Sequence, residues 1–256
     1  LALEPDTERY YASLGYCYYR MERYTDAEKA LSSAIASNPN KAENQYNMAL
    51  VKLELGKNTE AMQYAGKAVQ LKPDSPEYLY TMGLATEKSG NPDAAITFYQ
   101  KAISLQPAYV LPRINLGKIY DDQKQYSRAL EVLLKAYQID PDSLEVNNNL
   151  GNVYLHSELY NDSIVHYKKA LTKKPNDTLI RYHLAIAYIE TGQKDLAKTT
   201  LNEIIKIDPN YWDAYYRLGS LLYADGKKDE AQTVFKTLLE KNPQYEKRDE
   251  IRKLIG

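Results

Sequence analysis

The chain has 256 residues, 44% of them hydrophobic and 26% charged, which is enough apolar surface to bury a core. Its 33 basic and 34 acidic residues leave a net charge of -1, so no whole-molecule field favours a polyanion or an anionic membrane. The single cysteine excludes a disulfide-stapled scaffold, and no apolar run reaches the roughly 20 residues that a membrane helix needs.

The first residue is not Met, and Leu1 to Pro5 lacks the basic-then-apolar pattern of a secretory leader. Proline stands at Pro5, Pro39, Pro73, Pro107, Pro141, Pro175, Pro209 and Pro243, each 34 residues after the last, and eight of the 11 prolines lie on this ladder. Residues 1–7 therefore read as the tail of a truncated preceding repeat, and the natural chain is expected to continue upstream. Seven complete rows follow, 8–41, 42–75, 76–109, 110–143, 144–177, 178–211 and 212–245. Residues 246–256, with Ile251, Leu254 and Ile255 on one face, read as a C-terminal capping helix.

Each row divides into two amphipathic stretches of about a dozen residues. In row three, Glu77 to Lys88 is expected to be the first helix, Ser89 to Pro92 a turn, and Ala94 to Leu105 the second helix. The eighth column holds Gly15, Ala49, Gly83, Gly117, Gly151, Ala185 and Gly219, and the twentieth holds Ala27, Ala61, Ala95, Ala129, Ser163, Ala197 and Ala231. Small side chains at fixed places mark close approach of two helix axes. The eighteenth column (Thr25, Thr59, Asp93, Ser127, Asn161, Asp195, Asp229) holds only residues able to accept a backbone N–H, so it is expected to cap the second helix.

Row three carries Leu79, Met82-Gly83, Ala95, Tyr99, Ala102 and Pro107, and row four Leu116-Gly117, Tyr120, Ala129, Leu133, Ala136 and Pro141. These residues resemble the tetratricopeptide repeat, and the resemblance covers almost the whole chain. It implies an all-α fold, an α-solenoid of helix-turn-helix repeats forming a right-handed superhelix whose first helices line a concave groove. It further implies a non-enzymatic protein–protein interaction scaffold that binds a peptide or helical segment of a partner protein. The alternatives are a recruiting or targeting arm of a larger multidomain protein or envelope assembly, and a module that forms homo-oligomers through its uncapped first repeat.

Reactive motifs are missing. Gly56-Lys57, Gly117-Lys118 and Gly226-Lys227 lack the glycine five places earlier that would close a phosphate-binding loop. His156, His166 and His183 fit no zinc-protease helix motif, so no metal, cofactor or catalytic residue is assigned. Cys17 shares the tenth column with Val51, Ala85, Ile119, Val153, Ala187 and Leu221, and is expected to be a small core hydrophobe. Lys168, Lys169, Lys173 and Lys174 read as a solvated helix face, so neither nucleic acid nor direct membrane insertion is expected. Nothing separates a cytoplasmic from a periplasmic location.

Tyrosine is over-used, with 25 against two Phe and one Trp. Many occupy signature columns, but Tyr16, Tyr19, Tyr46, Tyr80, Tyr182, Tyr216 and Tyr223 fall where the resemblance places the groove. The sixth column, Ser13, Asn47, Thr81, Asn115, Asn149, His183 and Arg217, is polar throughout and is expected to run along the groove floor, able to pair with the main chain of an extended peptide. Leu50, Leu53 and Leu84 make the first part of the groove apolar, Lys118, Asp121, Asp122, Asn148 and Asn152 make the middle polar, and Ile186 and Ile189 help return the last part to apolar. The strongest anchors are expected at Tyr46, Leu50 and Tyr80. The carboxylate clamp of family members that bind chaperone tails needs a Lys, Asn and Arg pattern that no three consecutive rows supply, so such tails are not the expected ligand.

Overall fold

The computed structural model describes residues 5–255, with side chains from Thr7 onward. Among them the chain is helical without strands. It divides into two compact units, Leu1–Ile119 and Tyr120–Gly256. The first contains α1 (Pro5–Arg20), α2 (Tyr24–Ser37), α3 (Ala42–Glu54), α4 (Asn58–Leu71), α5 (Pro76–Lys88), α6 (Pro92–Leu105) and the start of α7 (Val110–Asp122). The second contains the end of α7, then α8 (Tyr126–Ile139), α9 (Leu144–His156), α10 (Tyr160–Lys173), α11 (Thr178–Glu190), α12 (Lys194–Ile207), α13 (Trp212–Ala224), α14 (Lys228–Lys241) and α15 (Arg248–Ile255). No described helix is long and apolar enough to cross a membrane.

Helices pair along the chain as the ladder of prolines dictates, α1 with α2, α3 with α4 and α5 with α6 in the first unit, and α9 with α10, α11 with α12 and α13 with α14 in the second. Residues 5–7 form the first turn of α1, so the expected boundary at residue 8 falls inside a helix; residues 1–4 lie outside the described residues. α15 packs on α14 and buries Ile251, with Leu254 and Ile255 against the same cluster as Phe235 and Leu238.

The small columns do what close approach requires. A Cβ built on Gly151 would lie 2.5 Å from the Tyr167 ring, on Gly83 2.6 Å from Tyr99, and on Gly219 2.6 Å from Phe235. The eighth column therefore faces the twenty-fourth of its own repeat. Alanine stands in the eighth column at Ala49, opposite Ala65, and at Ala185, opposite Leu201, whereas a Cβ on Gly15 would lie 2.6 Å from the Leu31 side chain. At Gly83, Gly151 and Gly219 glycine is thus fixed by the volume of one aromatic neighbour.

The turn inside each repeat corrects the capping expectation. The fifteenth column adopts positive φ in all seven repeats: Gly56, Gly90, Gly192 and Gly226 at 70–89°, and the non-glycines Glu22, Lys124 and Glu158 at 59–62°. Its N–H and the next one close a Schellman motif, as where Gly56 donates to the Leu53 carbonyl at 3.1 Å and Lys57 to that of Lys52 at 2.8 Å. The left-handed residue is followed at once by the second helix. The N-cap is consequently the sixteenth column, where Asn91 alone caps through its side chain, accepting the Ala94 N–H at 3.1 Å. The eighteenth column lies inside the first helical turn, where Thr25 and Asp229 have already entered α2 and α14. The side-chain caps that do form belong mostly to first helices, at Ser75, Ser143 and Asp177.

Candidate functional site

First helices touch their next-but-one neighbours, α1 with α3 and α3 with α5 in the first unit and α9 with α11 in the second. Among the described residues second helices make no comparable contact, so within each unit the first helices form the more tightly curved, inner face.

In the first unit this face opens into a cleft of about 780 Å³ between α1, α3 and α5. Four of the expected groove residues line it, Ser13, Tyr16, Tyr46 and Asn47. Sequence reading missed the fifth main contributor, Tyr78, whose ring stacks on Tyr46 with centroids 4.7 Å apart and planes at 27°. Column three, where Tyr78 stands, is core in later repeats, with Val146, Ile180 and Ala214 all buried, and this hid its role. Arg9, Lys41, Lys72, Glu43 and Glu77 rim the cleft, so its edge carries both signs. Lys41 reaches Glu8 at 3.4 Å, the Lys72 ammonium lies 5.8 Å from the Tyr78 ring centre, and Arg20 donates to the Tyr16 hydroxyl at 3.1 Å. Burial raises the pKa of Tyr46, and burial together with Glu43 raises that of Tyr78, so both hydroxyls stay protonated as donors at neutral pH.

Other expected groove residues are committed within the fold. Tyr80 lies against Tyr99 and Tyr109 with centroids 5.9 and 5.5 Å away, half-buried outside the cleft lining. Leu50 and Leu84 are also half-buried, and Leu53 is buried. Tyr19 packs beside Tyr24 at 5.9 Å. Thr81, expected on the groove floor, is only 1% exposed. The Asn115 amide donates to the Tyr99 hydroxyl at 3.0 Å, which in turn donates to Glu87 at 2.6 Å. Lys118 stands exposed on α7.

In the second unit Asn149 donates to its own helix at the Glu145 carbonyl, 2.9 Å away, and Asn152 accepts the Tyr167 hydroxyl at 2.8 Å. Tyr216 is taken by α15, donating to Glu250 at 2.7 Å beneath Lys247, whose ammonium lies 4.4 Å from the ring centre. Arg217 donates to Tyr182 at 3.4 Å. His183 keeps a buried, unpartnered Nδ1 against Tyr167 and Tyr182, and burial with the nearby His156 lowers its pKa, so it is neutral at physiological pH. In the sixth column, Asn115, Asn149 and Arg217 thus bond within the fold, while Ser13 and Asn47 line the first-unit cleft.

Cys17 is exposed and lines the first cleft, contrary to the core role expected from its column. Its column mates are covered by the second helix of the preceding repeat, Val51 with Ala27 and Leu31, Ala85 with Ala61, and Leu221 with Ala197. No described helix precedes α1 to cover Cys17. No group of three His, Cys, Asp or Glu that could hold a metal occurs among the described residues.

One tetratricopeptide repeat model matches residues 88–136, 154–211 and 200–254, another of that description matches 12–76 and 46–110, and a TPR repeat model matches 117–157. No curated protein sequence is similar at a significant level. Among solved structures, the chain resembles one in the crystal structure of the APC/C hetero-tetramer Cut9-Hcn1, at 21% identity and TM-score 0.67 over 87% of this chain, but it spans only 44% of that chain. The C-terminal part of a TPR repeat-containing protein from Cytophaga hutchinsonii matches 95% of this chain and 98% of its own, with 18% identity and TM-score 0.75. YrrB, described as a TPR protein with an unusual peptide-binding site, matches 74% of this chain and 98% of its own, with 18% identity and TM-score 0.62. Proline register, paired helices, facing small and large columns and family models covering most of the length converge: the chain belongs to the tetratricopeptide repeat family.

Proposed function

We propose that the chain is a non-enzymatic interaction scaffold whose first-unit cleft holds an extended segment of a partner protein. The observation that carries this is the stacked Tyr46 and Tyr78 pair lining an open cleft of about 780 Å³ beside Tyr16. Tyrosine rings supply large contact area at low entropic cost, and their hydroxyls, with Ser13 and Asn47, offer donors and acceptors to a peptide main chain. The two-signed rim fits a segment of mixed charge better than a polyanion. The likeness to YrrB, at 18% identity, supports the fold, and the peptide-binding site described for that protein is in keeping with this reading.

The test is selection of peptides from a random library on the full chain, followed by calorimetry on the selected peptides. Tyr16→Ala with Tyr46→Ala is expected to weaken binding about thirty-fold, roughly 2 kcal/mol, with helicity unchanged. Tyr80→Ala is expected to lower stability while leaving affinity near wild type. Equal affinity of the Tyr16/Tyr46 variant would place the ligand elsewhere.

A second reading, self-association, is favoured by α1 and the turn that follows it, where Tyr10 is 62% and Met21 61% exposed. Light scattering over a range of concentrations tests it: mass rising for wild type but not for Met21→Glu supports a second copy on this face, and a constant monomer mass removes the reading.

A further inference from the structure

In the second unit, the turn between α12 and α13 and the turn between α14 and α15 border an open cleft of about 460 Å³. Tyr211, Trp212 and Tyr245 line it together with the carboxylates of Asp208, Asp213 and Glu246, and no lysine, arginine or histidine does. Asp213 accepts the Tyr245 hydroxyl at 2.7 Å and Asp208 accepts the Asn210 N–H at 2.9 Å, so two of the three carboxylates are fixed in place. Glu246 is exposed, and none of the three is in an ion pair with a described residue. The neighbouring Lys247 lies over Tyr216, 4.4 Å from that ring's centre, and does not line the cleft.

The field at the rings is correspondingly negative. Burial, Tyr182 and the carboxylates Asp213, Asp208 and Asp177 raise the Tyr211 hydroxyl to about 12, and burial with Asp213 and Glu246 raises Tyr245. The equivalent turns earlier in this unit carry Ser143 and Leu144, or Asp177 and Thr178, so the repeat itself does not demand rings at these positions. Aromatic faces are attracted to cations through their quadrupole, and unpaired carboxylates beside them add Coulombic attraction. A planar guanidinium satisfies both at once, stacking on a ring while its edge donates to carboxylates, which a compact ammonium does less well.

We propose that this cleft binds the guanidinium of an arginine side chain presented by a partner protein. The site lies on inter-repeat turns and not on the groove columns, so it goes beyond the first-unit reading and stands or falls separately from it.

Trp212 is the one tryptophan of the chain and reports on the site directly. The full chain is titrated at low salt with the peptide acetyl-Gly-Arg-Gly-amide, and with versions carrying lysine or the neutral isostere citrulline, reading Trp212 fluorescence. A saturable change with the arginine peptide is expected, at least ten-fold weaker with citrulline, weaker also with lysine, and weakening further as salt rises. Glu246→Gln with Asp213→Asn keeps an acceptor for Tyr245 while removing two charges, and is expected to lose at least ten-fold in affinity with the circular dichroism of wild type. If that variant unfolds, Glu246→Gln alone is used, with a loss of at least three-fold expected. Equal response to arginine and citrulline, lysine binding as tightly as arginine, no saturable change up to millimolar peptide, or folded variants of unchanged affinity would each overturn the proposal.

Discussion

The pairing of the eighth and twenty-fourth columns makes a quantitative prediction at Gly151 and Tyr167. In Gly151→Ala the new methyl would sit 2.5 Å from one ring carbon of Tyr167 and 2.6 Å from another, and that ring is fully buried and tied through its hydroxyl to Asn152 at 2.8 Å. Helix propensity favours the alanine by about 1 kcal/mol. Overlap with a ring that has no free space to retreat into costs more, about 2–4 kcal/mol before that offset, so a net loss of about 2 kcal/mol is expected. Tyr167→Leu alone is expected to cost about 3 kcal/mol through lost burial and a cavity. Together they reproduce the Ala185 and Leu201 combination found one repeat later in the same chain, where both side chains are buried. Gly151→Ala should therefore be neutral or stabilising in the Tyr167→Leu background, giving a coupling of about 2–3 kcal/mol. Urea unfolding followed by far-ultraviolet circular dichroism measures all four corners of the cycle. Effects that add to within about 0.5 kcal/mol would show that the two columns do not limit each other's volume.

Lys124→Gly and Glu158→Gly relieve left-handed backbone at φ 59° and 62°, and each is expected to stabilise by about 1 kcal/mol in the same denaturant assay, whereas Gly192→Ala, at φ 71°, loses a similar amount. Alkaline unfolding should be steep: Tyr99 and Tyr167 are fully buried with hydroxyls raised above 10.0, chiefly by burial, so the folded state holds protons that the unfolded state releases. Their stabilisation is complete below pH 10.0 and falls above it by about 1.4 kcal/mol per pH unit for each, seen as tyrosinate absorbance rising together with loss of helix. Lys52, 4% exposed, bridges Glu28 at 2.6 Å and Glu60 across three helices, so Glu28→Ala is expected to cost about 2 kcal/mol, while Lys52→Met lies within about 1 kcal/mol of wild type. The Lys52 hydrogen bond holds the Glu28 carboxyl below 4.5, so its contribution is present above that pH and is lost as pH falls through the lower folded value; thermal melts of Glu28→Gln and wild type should converge there.

Repeat length, helix pairing and the family were legible in the sequence because a fixed 34-residue period leaves the same few side chains facing the same neighbours in every repeat. The small residues of the eighth column, Gly83 and Gly151 among them, were visible as points of close approach in the sequence, whereas the rings they face, Tyr99 and Tyr167, were identified by the structure. The capping residue was not, because the left-handed residue at the fifteenth column brings the second helix in two residues earlier than side-chain chemistry indicates. Nor was the cleft. Tyr46 and Tyr80 share one column and one helix face, yet Tyr46 lines the cleft with Tyr78 while Tyr80 lies against Tyr99 and Tyr109. Cys17 occupies a core column and is exposed because burial is conferred by the helix of the neighbouring repeat, not by the residue's own. Local period fixes which side of a helix a residue is on; whether that side is core, cleft or surface is decided by what the adjacent repeats place against it.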